Sequence, residues 1–171
     1  MRIRHLFGAA TVAAIALGSA PAAAVTPTTQ SDGKALVLIP LTLTKIDDLD
    51  FGSVVPSPVP GTVTINPSTG ARTFTGGVTL VPSDAGFHAY FGGAGTPSQQ
   101  VLVALSPPVA LTNGAGDTIP VVGLTLDGPP MRTIDPVSRT FFVGVGGTLS
   151  IAANQPVGTY SANFWVTAVY Q

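Results

Sequence analysis

The chain has 171 residues, no cysteine and a formal charge of −1, and only 9% of its residues are charged. No disulfide can brace it, so packing, strand pairing or a partner must supply its stability. From residue 25 onward the basic residues are Lys34, Lys45, Arg72, Arg132 and Arg139, against eight aspartates and no glutamate, a balance of 5 − 8 = −3. Five scattered cations on an acidic chain carry no electrostatic footprint for nucleic acid. The content of Val, Thr, Gly, Pro and Leu suits an all-β domain with many turns and excludes a disordered chain.

At the N-terminus, Arg2 and Arg4 precede an apolar run from Leu6 to Leu17 and the small residues Ala22, Ala23 and Ala24. This is the pattern of a cleaved secretory signal over residues 1–24, so the protein is expected to be exported. The run is shorter than the roughly 20 apolar residues of a spanning helix, and no later stretch qualifies, so no direct membrane insertion is expected after cleavage. Residues 25–33 read as a polar, flexible leader, and residues 34–171 as one domain, whose length suffices for a single core.

Within that domain, residues 34–39 are apolar on both faces and residues 41–44 alternate, with Pro40 between them denying one backbone donor. A turn through Asp47, Asp48 and Asp50 leads to a short strand near Val54, closed by Pro56, Pro58 and Pro60. Thr62–Ile65 alternates cleanly. Arg72–Val81 is strand-like with a bend at Gly76 and Gly77. Further strands are predicted over Phe87–Phe91, Val101–Leu105, Val109–Leu111, Ile119–Leu126, Phe141–Val145 and Leu149–Ile151, the last two separated by Gly146 and Gly147. Nine to eleven short strands at this spacing predict an antiparallel β-sandwich.

The clearest strand runs from Gly158 to Tyr170. Tyr160, Ala162, Phe164, Val166, Ala168 and Tyr170 point one way, and Ser161, Asn163, Trp165, Thr167 and Val169 the other. A long apolar strand at this place leaves an edge that another strand, of this chain or of a neighbour, must cover. Tyr170 is penultimate, and Gly158 is the fourteenth residue counted back from Gln171. On these residues the chain resembles the subunits of chaperone–usher pili. A second similarity, carried by Leu49-Asp50-Phe51-Gly52, by Val145 to Leu149 and by Gly158-Thr159-Tyr160, is to the secreted bacterial family 4402 of the domain-of-unknown-function series.

The pilus resemblance implies an immunoglobulin-like sandwich that lacks one strand. It further implies a groove filled first by a periplasmic chaperone, at an outer-membrane usher, and then by an extension of the next subunit, which is a form of β-augmentation. On that reading residues 34–44 hold the donor strand, with Ala35, Val37, Ile39, Leu41 and Leu43 on its buried face. The acceptor groove is walled by Gly158, Tyr160, Ala162, Phe164, Val166, Ala168 and Tyr170. The expected partners are further copies or related subunits in a surface fibre used for adhesion. The disulfide common in pilins is ruled out here by composition. The rival expectation is a self-complete secreted sandwich serving as a coat or carbohydrate-binding module, with the same residues 34–44 paired to their own sheet.

Catalysis is not expected, and no cofactor or metal is called for. Beyond residue 24 the one histidine is His88, in a strand, and no Gly-x-Ser-x-Gly motif is present. Asp47, Asp48 and Asp50 lack a regular calcium loop with its bidentate glutamate and read as turn caps. The glycine-rich stretches Gly92–Gly95 and Gly144–Gly147 lack the lysine and helix of a phosphate loop. Trp165, Tyr160 and Phe164 read as core and sheet-face packing in preference to a sugar platform.

Overall fold

A computed structural model describes residues 28–171, so the expected signal peptide and the start of the leader lie outside the described residues. Residues 28–41 form no strand, and the folded unit spans Leu36–Gln171. Twelve strands follow: β1 (Thr42–Asp47), β2 (Val54–Val55), β3 (Gly61–Ile65), β4 (Arg72–Gly76), β5 (Thr79–Leu80), β6 (Ala89–Ala94), β7 (Gln100–Ser106), β8 (Ala110–Thr112), β9 (Thr118–Leu126), β10 (Met131–Thr133), β11 (Thr140–Ile151) and β12 (Trp165–Tyr170). All pairings are antiparallel, and no helix occurs among the described residues. The protein is all-β, as composition and spacing imply, with its sheets in a sandwich-like arrangement.

The main sheet is built on β11. Its N-terminal half pairs with β6, which in turn pairs with β1, and its C-terminal half pairs with β3, which pairs with β4. Val145 pairs with both Ala89 and Leu126, and Thr148 with both Thr64 and Gly123. A strand has only two edges, so β6 and β3 lie end to end along one edge of β11 and β9 occupies the other. The sequence pattern breaks this strand at Gly146 and Gly147, yet it is continuous. At the junction a Cβ on Gly146 would strike the Ile65 carbonyl, so glycine lets β3 take over where β6 stops.

A three-stranded sheet, in the order β10-β7-β12, covers the β6 half of the main sheet. Between them lies one core cluster: Ala89, Phe91, Val101, Val103, Ile134, Phe141, Val143 and Val145. The alternation of β6, with Ala89 and Phe91 inward and Tyr90 outward, places these side chains. A second cluster, Val63, Val78, Ile119, Leu149 and Ile151, lies under the other half. There the facing layer is thin. It consists of the two-residue ladder β2-β5 and the irregular segment after β11.

Two turns show how polar side chains hold the chain ends of these strands. Arg72 donates to the carbonyls of Phe51 (2.8 Å), Ser53 (3.1 Å) and Val81 (2.7 Å), tying β4 to the loops around β2 and β5. Before β11, Asp135 accepts from the amides of Ser138 (2.7 Å) and Val137 (2.9 Å) and from the Ser138 hydroxyl (3.1 Å). These bonds favour the ionised carboxylate and hold its pKa below the ordinary value.

Candidate functional site: a cleft beside an open sheet edge

The final strand is shorter than its alternation suggests. β12 pairs with β7 from Trp165↔Ser106 to Tyr170↔Val101. The next partner upstream would be Pro107, which has no N–H, and Pro108 follows it, so the ladder stops. Gly158, Tyr160, Ala162 and Phe164 therefore precede the strand, while Val166, Ala168 and Tyr170 lie within it. Among the described residues a single bridge, Thr112↔Ser161, ties the stretch ahead of β12 to another strand.

The unpaired stretch forms one wall of a cleft of about 760 Å³. The opposite wall is Lys45 and Asp48–Val54, and the floor includes Val63, Leu111, Ile119, Val121, Leu149 and Ile151 from the main sheet. The floor is apolar because it is the inner face of these strands, and the short β2-β5 ladder and the segment after β11 bury Val63, Ile119, Leu149 and Ile151 within it. Gly158, Tyr160, Ala162 and Phe164 all line the cleft, and Phe164 meets Phe91 edge-on at 6.2 Å. Buried Gln155 holds the wall at its root. Its Nε2 donates to the Thr118 carbonyl (3.1 Å) and to the Tyr160 hydroxyl (3.0 Å), which itself donates to the Pro156 carbonyl (2.7 Å).

Among the described residues β12 pairs with β7 alone, so its other edge carries no ladder. Its inward side chains Val166, Ala168 and Tyr170 pack on the first core cluster together with Leu41 and Leu43. The residues expected to form a donor strand are thus divided. Leu43 lies in β1, paired with Gly93 of the chain's own sheet, and Leu41 packs on the same core just before it. Ala35, Val37 and Ile39 belong to no strand, and Leu36 and Val37 are 74% and 90% exposed.

Chemistry-bearing side chains do not converge in the cleft. Asp50 accepts from the Gly52 amide (2.7 Å) as a turn cap, and Asp48 pairs with Lys45 (2.6 Å) at an exposed position. His88 stands edge-on to Tyr90 at 5.9 Å, on strand β6's approach and away from the cleft lining. Trp165 is 71% exposed on the outer face of the small sheet, so it serves no core.

The family model described as Domain of unknown function (DUF4402) matches residues 41–170. The chain belongs to this family. No curated protein and no solved structure matches it. In this DUF4402 chain the match begins at Leu41, so the apolar stretch Leu36–Ile39, exposed at Leu36, Val37 and Ile39, lies ahead of the family body, while both cleft walls and β12 lie inside it. Alternation of Tyr160 to Tyr170 pointed to one wall. The floor was not readable in advance, because Val63, Ile119 and Leu149 come from three separated strands that each look like ordinary core.

Proposed function

We propose that the protein is an exported structural subunit that joins to its neighbours by strand donation, the apolar segment ahead of β1 in one copy entering the cleft and pairing with the open edge of β12 in the next. The observation that carries this reading is the coexistence, in one chain, of an extended apolar segment exposed at Leu36 and Val37, a cleft whose wall runs to Phe164, and the unpaired edge of β12 that begins at the next residue. Each large aliphatic side chain moved from water into such a cleft contributes roughly 1.5–3 kcal/mol, and a backbone ladder adds to it. A sandwich of immunoglobulin-like, pilin-like type is part of the same proposal. So are a periplasmic chaperone holding the open edge before assembly, an outer-membrane usher, and a surface fibre as destination. The test is a denaturing gel of exported material, unboiled and boiled. A ladder of multimers that collapses on boiling, and that disappears on deletion of residues 34–38, is expected; a single monomer band in the unboiled parent sinks the proposal.

A second reading, a self-complete secreted module that binds carbohydrate, is favoured by Trp165. Its exposed indole lies beside its cross-strand partner Ser106 and near Thr167, an uncharged surface on which a sugar ring could stack. Glycan binding by the monomer that is lost in Trp165→Ala supports this reading, and the absence of binding removes it.

A further inference from the structure

Three hydrogen bonds close a ring at the point where the extension meets the folded body. The Ile39 amide donates to the Thr96 hydroxyl (2.7 Å), the Thr96 amide donates to the Tyr170 hydroxyl (2.7 Å), and that hydroxyl donates to the Ile39 carbonyl (2.7 Å). Both backbone polar groups of Ile39 are thereby held, although Ile39 lies outside any strand. The ring joins three separated parts of the chain: the segment ahead of β1, the turn after β6, and the end of β12. Gly95 leaves room beside it, since a Cβ there would press on the Tyr170 hydroxyl. Residue by residue, the chain changes character here. Leu36 and Val37 are exposed, Ile39 is clamped, Leu41 packs on the core, and Thr42 enters the ladder with β6.

We infer that Thr96 and Tyr170 form a latch that fixes where the transferable ribbon ends, so that residues up to Leu38 can enter a sibling's cleft while Ile39 and everything after it stay with their own body. This rests on the strand-donation reading and narrows it. The partner of the open β12 edge is the segment of a second copy ending at Leu38, and Leu41 and Leu43 are not given away. Tyr170 acts as a positioning residue. It stands on the strand that borders the vacancy, and its hydroxyl holds the base of the ribbon that leaves for the next molecule.

The absence of cysteine allows a direct test. Ile39→Cys combined with Thr96→Cys, exported under oxidising conditions, should form a disulfide within one chain and still assemble to the parental level. Boiling without reductant should then release monomers that carry the internal bond. Assembly that is blocked until reductant is added, or a bond that links neighbouring copies, would overturn the latch. If the parent chain itself never assembles, the donation reading fails instead, and the latch is then judged on the monomer by hydrogen exchange. Tyr170→Phe and Thr96→Ser keep the packing near native. In Tyr170→Phe the Thr96 amide should lose its acceptor and the Ile39 carbonyl its donor, with exchange at Thr96 faster by about tenfold, the factor one hydrogen bond is worth. Thr96→Ser, which keeps the hydroxyl, should leave Ile39 protection unchanged. Equal exchange at Thr96 in the parent and Tyr170→Phe would overturn the latch on its own terms.

Discussion

The two halves of the sandwich are built on the same strand and finished differently. Beneath the β6 half, Val101 and Val103 of the small sheet close over Phe141, Val143 and Val145, and the cluster is sealed on both sides. Beneath the β3 half, Val63, Leu149 and Ile151 are just as buried, but the layer over them is a pair of two-residue strands and an irregular wall that borders the cleft. Both halves present comparable aliphatic faces, so hydrophobic content does not separate them. What separates them is the supply of strands: β7 ends at two prolines, and among the described residues the second half is faced by no ladder longer than the two-residue β2-β5 pair. A missing neighbour, more than a missing side chain, makes the candidate site.

The contrast is sharpest in core truncations. Ile134→Ala, at a fully buried position in the sealed half, should cost about 2–5 kcal/mol in urea unfolding. Leu111→Ala, which removes a partly buried side chain from the cleft floor, should cost roughly half as much, because part of its surface already faces the opening. An equal loss at both sites would mean that the second half is as tightly closed as the first.

Gln155→Ala should come next, at about 1–3 kcal/mol, since it removes two hydrogen bonds of a buried side chain, to the Thr118 carbonyl and to the Tyr160 hydroxyl. Its distinguishing sign is local: limited proteolysis should cut between residues 156 and 164 faster than in the parent, with the sealed half unaffected. The smallest effect is expected at Asp135, in the exposed turn before β11. Its carboxyl is held below the ordinary pKa, so its contribution is present above the unfolded value and fades as pH falls through the lower folded one. Asp135→Asn should therefore shift the urea midpoint slightly at about pH 7 and not at all in strong acid, where both chains carry a neutral group. A difference that grows on acidification would show that the carboxylate is not the species the turn holds.

Much of the fold was legible because alternation reports a pleated strand directly. Thr62–Ile65, Val101–Leu105 and Ile119–Leu126 were found nearly at their observed limits, and Gly76, with φ of +68°, makes the bend assigned to it. The misplacements share a cause. Gly146 and Gly147 read as a break, but a strand flanked on both edges tolerates glycine where two neighbours meet. Tyr160 to Phe164 read as strand, but alternation is silent about whether a partner exists, and that is decided by Pro107 in a distant segment. Lys34 to Thr44 read as one ribbon, whereas ladder pairing begins only at Thr42 and the Thr96 hydroxyl already holds Ile39. The cleft floor escaped for the same reason, since long-range pairing assembles it from strands far apart in the chain.

β11 runs through both halves, and this has a thermodynamic consequence. A layer that shares its spine with a sealed core cannot melt by itself, because releasing β3 and β9 strips the same backbone that anchors β6. Heating should therefore give one cooperative transition with equal calorimetric and van't Hoff enthalpies, the half with the vacancy borrowing its persistence from the half without one.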